Sequence, residues 1–202
     1  MHIYAMLYVH NSGMAIRNNT KATVFSSFFG VTMTDSSFPF PPDEAYLNKS
    51  KNRFLFGAYL GYKLPLGFIA GLRIDDFTPD QCSVSLPYRW RTQNPFRSIY
   101  FAAQSMAAEM STAALAVLAI ESSKENIAML VTDLQASFVQ KANGRTTFTC
   151  TQGKEAFETI QRAIETGEGT KLTMHTVGRL PDGTEVSRFS VTWSFKKRTS
   201  KK

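Results

Sequence analysis

The chain has 202 residues, 43% apolar and 19% charged, a globular composition that excludes wholesale disorder and leaves enough length for one domain with a real core. The net charge of +7 is no signature of a nucleic-acid partner, because Lys196, Lys197, Arg198, Lys201 and Lys202 hold +5 of it and all other residues together only +2. Cys82 and Cys150 lack metal-ligand spacing, and His2, His10 and His175 do not cluster, so no metal or other cofactor is expected. The two thiols read as buried and reduced, which suits a cytoplasmic protein.

Residues 1–44 read as an N-terminal extension. Asn18-Asn19, Ser26-Ser27, Ser36-Ser37 and Phe38-Pro39-Phe40-Pro41-Pro42 sustain no period, and Met33 is a second plausible start. The apolar stretch from Ile3 to Val9 is short and lacks a basic flank, so no signal peptide is expected. Residues 43–63 predict a helix ending near Gly57 or Gly61. Ile69 to Phe77 predicts a strand, with Thr78-Pro79-Asp80 as a turn. Cys82 to Trp90 alternates, with Cys82, Val84, Leu86 and Tyr88 on one face. Arg91 to Pro95 follows as a loop.

Ser98 to Glu121 is the dominant element, rich in Ala, Met and Leu, with Ser98 as its expected cap. Glu109 is the only charge between Ser98 and Ile120. A stretch this apolar has the length of a membrane span, but a carboxylate near its centre would cost about 3 kcal/mol on insertion. Gln104, Ser105, Ser111 and Thr112 add polarity, and ordinary strands flank the segment. It therefore reads as a core helix enclosed by other elements.

Ala128 to Gln140 and Thr146 to Thr151 predict two strands joined by Lys141-Ala142-Asn143-Gly144, whose Asn-Gly pair signals a hairpin. Glu155 to Glu165 predicts an amphipathic surface helix. Thr170 to Arg179 and Glu185 to Lys196 predict a final hairpin through Pro181-Asp182-Gly183, with Phe189, Val191, Trp193 and Phe195 alternating inward. Six strands and one encased helix make an α+β domain over residues 45–197, followed by a basic tail at 198–202.

Three stretches carry a family resemblance: Asn94 to Tyr100 leading into the helix with Glu109, Val131 to Phe138 running on to Lys141-Ala142-Asn143-Gly144-Arg145, and Asp182-Gly183-Thr184-Glu185-Val186. In this order the chain resembles the hotdog superfamily, in which a long central helix is wrapped by a six-stranded antiparallel sheet. It is similar to the phenylacetate-type acyl-CoA thioesterases and to a related uncharacterised, DUF4442-like domain family. In those thioesterases an Asn precedes the helix, a His-Gly pair sits at its first turn, and an acid follows the Asn by fifteen positions. Asn94 and Glu109 match that spacing, whereas the His-Gly positions hold Tyr100 and Phe101.

The resemblance implies a thioester hydrolase acting on an acyl-CoA or acyl-carrier substrate. The helix start, Ser98 to Phe101, would stabilise the oxyanion with backbone N–H groups. Glu109 would be general base or nucleophile, with burial among Met106, Met110 and alanines raising its pKa. Asn94 would orient water or the carboxylate, and the Tyr100 hydroxyl would stand in for the missing His. Against these stand a Glu109 paired with a cation across a subunit interface, an Asn94 that only shapes its loop, and a Tyr100 that only packs. Arg89, Arg91 and Arg97, then Lys141 and Arg145, are the phosphate-binding candidates. A homodimer or dimer of dimers with sites between subunits is also implied. Phe101 in place of glycine leaves room for a non-catalytic acyl-thioester or lipid-binding module. A hydratase or dehydratase is disfavoured, because no histidine lies near the helix.

Overall fold

The computed structural model describes residues 38–198. The expected extension up to residue 37 and tail residues 199–202 lie outside the described residues, as does Met33. Phe38 and Phe40 are packed residues, with rings 4.8 and 5.1 Å from that of Phe157.

The helix expected over 43–63 is two helices, α1 (Glu44–Lys51) and α2 (Arg53–Lys63). Asn52 divides them because its Oδ1 accepts from the N–H groups of Phe54 and Leu55, ending one helix and capping the next. Neither Gly57 nor Gly61 ends α2. Asp43 Oδ1 caps α1 by accepting from Tyr46 N–H, and the same carboxylate pairs with Lys124. That ion pair holds the Asp43 carboxyl below its ordinary pKa.

The strand expected from Ile69 begins later. Pro65 opens a short helix, α3 (Pro65–Ala70), and Gly71 closes it at φ 80°. Strands β1 (Arg73–Phe77) and β2 (Cys82–Leu86) follow, then α4 (Phe101–Ser123), β3 (Ile127–Phe138), β4 (Thr146–Cys150), α5 (Gly153–Thr166), β5 (Thr170–Arg179) and β6 (Glu185–Lys197).

The six strands form one antiparallel sheet in the order β1-β2-β4-β5-β6-β3. Its inner face carries the alternation read from the sequence: Val84 and Leu86 of β2, Phe148 of β4, and Phe189, Val191, Trp193 and Phe195 of β6 are buried. Helix α4 lies in this concave face. It is apolar all round because the sheet and α5 cover it, with residues Ala107, Ala108 and Leu115 to Ala119 among those in the core. Buried polar side chains near its middle are matched to the sheet. Ser111 Oγ lies 2.9 Å from Thr176 Oγ1, and Trp193 Nε1 donates to Thr112 Oγ1 at 3.0 Å. This is the hotdog arrangement that the sequence led us to expect.

Cys82 and Cys150 are register partners in β2 and β4, both buried and free. Burial pushes both thiols upward in pKa, Cys150 to about 11.

The Asn143-Gly144 hairpin is not formed. β3 pairs with β6 at one sheet edge, while β4 sits between β2 and β5. Residues 139–145 instead cross the end of the β5–β6 hairpin. Val139 N–H donates to the Val186 carbonyl, Ala142 N–H to Ser98 Oγ, and the Ala142 carbonyl accepts from Ile99 N–H. These partners satisfy the crossing backbone, so the local turn signal is overridden by non-local bonds. The final hairpin does form, with Gly183 at φ 87° in its turn.

Helix α5 begins at Gly153, two residues before the expected Glu155. A Cβ on Gly153 would stand 1.8 Å from the Pro79 carbonyl oxygen, and both groups belong to backbone that cannot yield locally. Gly153→Ala is therefore expected to destabilise the fold by about 1–3 kcal/mol, the range for an overpacked core site. Urea unfolding of the two proteins measures it, and an unchanged midpoint would contradict the close approach.

Candidate functional site

The segment from Pro87 to Tyr100 delivers the chain to the start of α4. Thr92 is its anchor: buried, its hydroxyl donates to the Pro87 carbonyl and accepts from Arg89 N–H. The Thr92 carbonyl accepts from Tyr100 N–H at 2.7 Å. Asn94 shapes the next turn, its Oδ1 accepting from Phe96 N–H at 3.0 Å and Ser98 N–H at 3.2 Å. Asn94 Nδ2 makes no hydrogen bond among the described residues. Arg97 takes φ 58° within this turn, an uncommon conformation held by the Asn94 contacts on either side.

Ser98 does not cap α4. Its hydroxyl accepts from Ala142 N–H, which ties the helix approach to the 139–145 crossing. The N-cap is Tyr100, which supplies no side-chain acceptor. The first-turn N–H groups of α4 are thus left without a cap, at the positive end of a 23-residue helix. The Tyr100 ring is exposed and meets Phe101 edge-on, and Phe101 in turn lies 6.5 Å from Phe138 at the end of β3. Phe101 is 54% exposed, so the residue in the family's glycine position stands over the helix start rather than in the core.

Gln104 fixes this end of α4 from inside. Its Nε2 donates to the Ile99 carbonyl at 3.1 Å and its Oε1 accepts from Ser187 Oγ at 2.8 Å, so one buried amide joins helix, approach loop and β6. Gln104→Ala would leave the Ile99 carbonyl and the Ser187 hydroxyl unpaired. A loss of about 1–3 kcal/mol is expected, read from thermal or urea unfolding; a neutral result would mean that water replaces the amide.

Glu109 lies two turns further along α4, partly buried. Its carboxyl has no hydrogen-bond or cationic partner among the described residues. Burial alone pushes its carboxyl up to about 7. Tyr59 of α2 feels the Glu109 charge. Burial raises the Tyr59 pKa first, and the Glu109 charge raises it further. A carboxyl poised near neutrality without a partner is suited to taking and returning a proton. Eight residues separate Glu109 from Phe101, so at 1.5 Å per residue the carboxyl and the helix start of one chain are about 12 Å apart along the axis.

The predicted cations fall into two groups. Arg97 and Lys141 are exposed on the two segments that flank the start of α4. Arg89, Arg91 and Arg145 instead line a separate cavity of about 330 Å³, together with Lys51, Arg53 and Arg73. Tyr59 and the cavity cations Lys51, Arg53 and Arg73 escaped sequence reasoning. Each is brought into place by an element distant in sequence, and none stands in a motif.

The family model described as a domain of unknown function, DUF4442, matches residues 52–195. No curated protein matches the chain. Among solved structures, a Pseudomonas aeruginosa protein described as a probable thioesterase superposes with a TM-score of 0.61 at 18% identity, over 71% of this chain and 95% of its own. A Chlorobaculum tepidum protein of unknown function gives 0.61 at 14% identity, over 74% and 99%. A Haemophilus influenzae thioesterase gives 0.54 at 14% identity, over 71% and 90%. At these identities the likeness is one of fold.

Proposed function

The chain belongs to the DUF4442 family, and from that premise we propose that it hydrolyses acyl thioesters as a homodimer, with Glu109 as general base. The observation that carries this reading is that α4 supplies both an uncapped N-terminus and an unpartnered carboxyl of pKa about 7, so that a two-fold pair of chains holds both groups for each of two shared sites. Its fold relatives from Pseudomonas and Haemophilus, described as thioesterases, lend it support.

In the proposed reaction a water attacks the thioester carbonyl while Glu109 takes its proton. The carbonyl oxygen becomes an oxyanion, received by the first-turn N–H groups of α4. The tetrahedral intermediate collapses to the carboxylic acid, and the C–S electrons leave with sulfur. The departing thiolate takes the proton back from Glu109. Asn94 Nδ2, which has no partner among the described residues, is available to orient the water.

The ~12 Å between helix start and carboxyl is too long for both to serve one carbonyl from a single chain. A two-fold partner resolves this by offering its own Glu109 to the first chain's helix start. β3 is the surface for such pairing: a 12-residue strand at the sheet edge, with exposed Leu130, Leu134 and Phe138.

Thiol release from short-, medium- and long-chain acyl-CoAs tests the reading. Turnover is expected. Acyl-CoA that binds without turnover, Phe101 covering the helix start, would instead identify a non-catalytic acyl-thioester module. Arg97 and Lys141 are assigned to the carrier's phosphates. Arg97→Ala and Lys141→Ala are each expected to raise KM severalfold with kcat little changed, the pattern of lost uniform binding. An equal fall in kcat would move them into the chemistry.

A further inference from the structure

Helices α2 and α3 carry a surface that the hydrolytic reading does not use. Phe54 is 82% exposed, Tyr62 80% and Leu66 69%, with Leu55, Phe68 and Ile69 half exposed. At about 100° per residue, Phe54, Leu55, Ala58 and Tyr62 fall within one arc of about 100° on α2. The opposite face of α2 packs inward through Phe56, Tyr59 and Leu60. α3 folds back on α2, with the Phe68 ring over Gly61, and adds its own outward side chains. Six large apolar groups standing in water on one helical pair mark an interaction surface.

The charge around this stripe is one-sided. From Lys49 to Arg73 the chain has five cations and no Asp or Glu. Behind the stripe lies the 330 Å³ cavity, lined by Lys51, Arg53, Arg73, Arg89, Arg91 and Arg145 with no carboxylate in its wall. Only Arg145 has a carboxylate partner among the described residues, Asp75 at 2.9 Å. Phe68 belongs to both features, being exposed and lining the cavity.

We propose that α2 and α3 form a docking surface for an anionic phospholipid membrane, the apolar stripe entering the headgroup–acyl boundary and the cationic cavity receiving lipid phosphates. Apolar side chains and phosphate-binding cations on one short helical pair match the two layers of such a surface. A second copy of the chain fits poorly, because pairing through this face would bring two acid-free cationic segments together. A soluble phosphate ligand would leave the apolar stripe unexplained. The inference is independent of the hydrolytic reading, since none of the cavity's lining residues lies on α4.

Flotation of the full chain with vesicles tests it. The chain is expected to float with vesicles of phosphatidylcholine mixed with phosphatidylglycerol and to stay behind with phosphatidylcholine alone, and added salt should weaken the binding. Phe54→Ser and Leu66→Ser remove exposed groups and are expected to leave the melting temperature unchanged while lowering partitioning by about tenfold or more. Arg89→Ala and Arg91→Ala should each lower it about fivefold. Absence of binding to anionic vesicles, or equal binding to neutral ones, overturns the proposal. So does a Phe54→Ser variant that floats normally but loses a dimer present in the parent, which would assign the stripe to a second copy.

Discussion

Glu109→Gln is expected to lower thioester turnover by roughly 10²–10⁴-fold, the loss that follows removal of a general base. In the parent, kcat/KM should rise with pH through a midpoint near 7, because burial holds the Glu109 carboxyl protonated up to about that pH. The variant should lose that inflection. The same substitution has a stability signature of opposite sense. The folded-state pKa is about 7 against an ordinary 4.5, so the native chain binds this proton more tightly than the unfolded chain. The resulting stability is fully present below pH 4.5 and is lost as pH rises through 7. At 1.36 kcal/mol per pKa unit the swing is about 3 kcal/mol. Gln has no proton to lose, so the variant should be the more stable protein above pH 7. Urea unfolding across pH measures this. If Glu109 is instead a structural acid paired with a cation across the subunit interface, its pKa falls, the slope disappears, and Gln destabilises at neutral pH. The combined readings of activity and stability thus separate a catalytic carboxyl from an ion-paired one.

Phe148→Ala is expected to cost about 3–5 kcal/mol, a large share of the ~5–15 kcal/mol that holds a typical domain. Phe148 is fully buried in β4, and its ring meets Phe189 edge-on at 5.7 Å. On β5, Gly178 faces it in register, and a Cβ there would lie 2.6 Å from the ring. Gly178→Ala alone should therefore destabilise by about 1–3 kcal/mol through overpacking. In the Phe148→Ala background the added methyl enters the vacated space, so the double variant should be more stable than the sum of the two losses. Denaturant unfolding of the four proteins gives the coupling energy. Strict additivity would mean that the ring and Gly178 are not in contact.

Local signals were legible where one periodicity and one neighbour decided the outcome. The β6 alternation of Phe189, Val191, Trp193 and Phe195 appears as an inward face, and Pro181-Asp182-Gly183 makes the turn that its residues demand. The long apolar segment is an encased helix, because its polar groups Ser111 and Thr112 find sheet partners rather than lipid. Where two readings were locally equivalent, the sequence was silent. Asn52 gives no periodic sign that it divides a helix, since its capping role depends on a side-chain rotamer. Asn143-Gly144 carries a hairpin signal, yet Ala142 is bonded to Ser98 and Ile99 instead.

By itself, then, the sequence determined the six strands, the long helix, the α+β layering and the position of a lone carboxyl in an apolar helix. Its own residues impose these: strand alternation has a period of two, helix burial a period near 3.6, and one charge among apolar residues is visible without coordinates. Only the tertiary structure decided that Asn94 and Ser98 have backbone partners, that Tyr59 feels the Glu109 charge, and that Arg91 and Arg145 line one cavity with Lys51 and Arg53. Those facts depend on which distant segments the sheet order brings together, and contact between distant segments leaves no period in the chain.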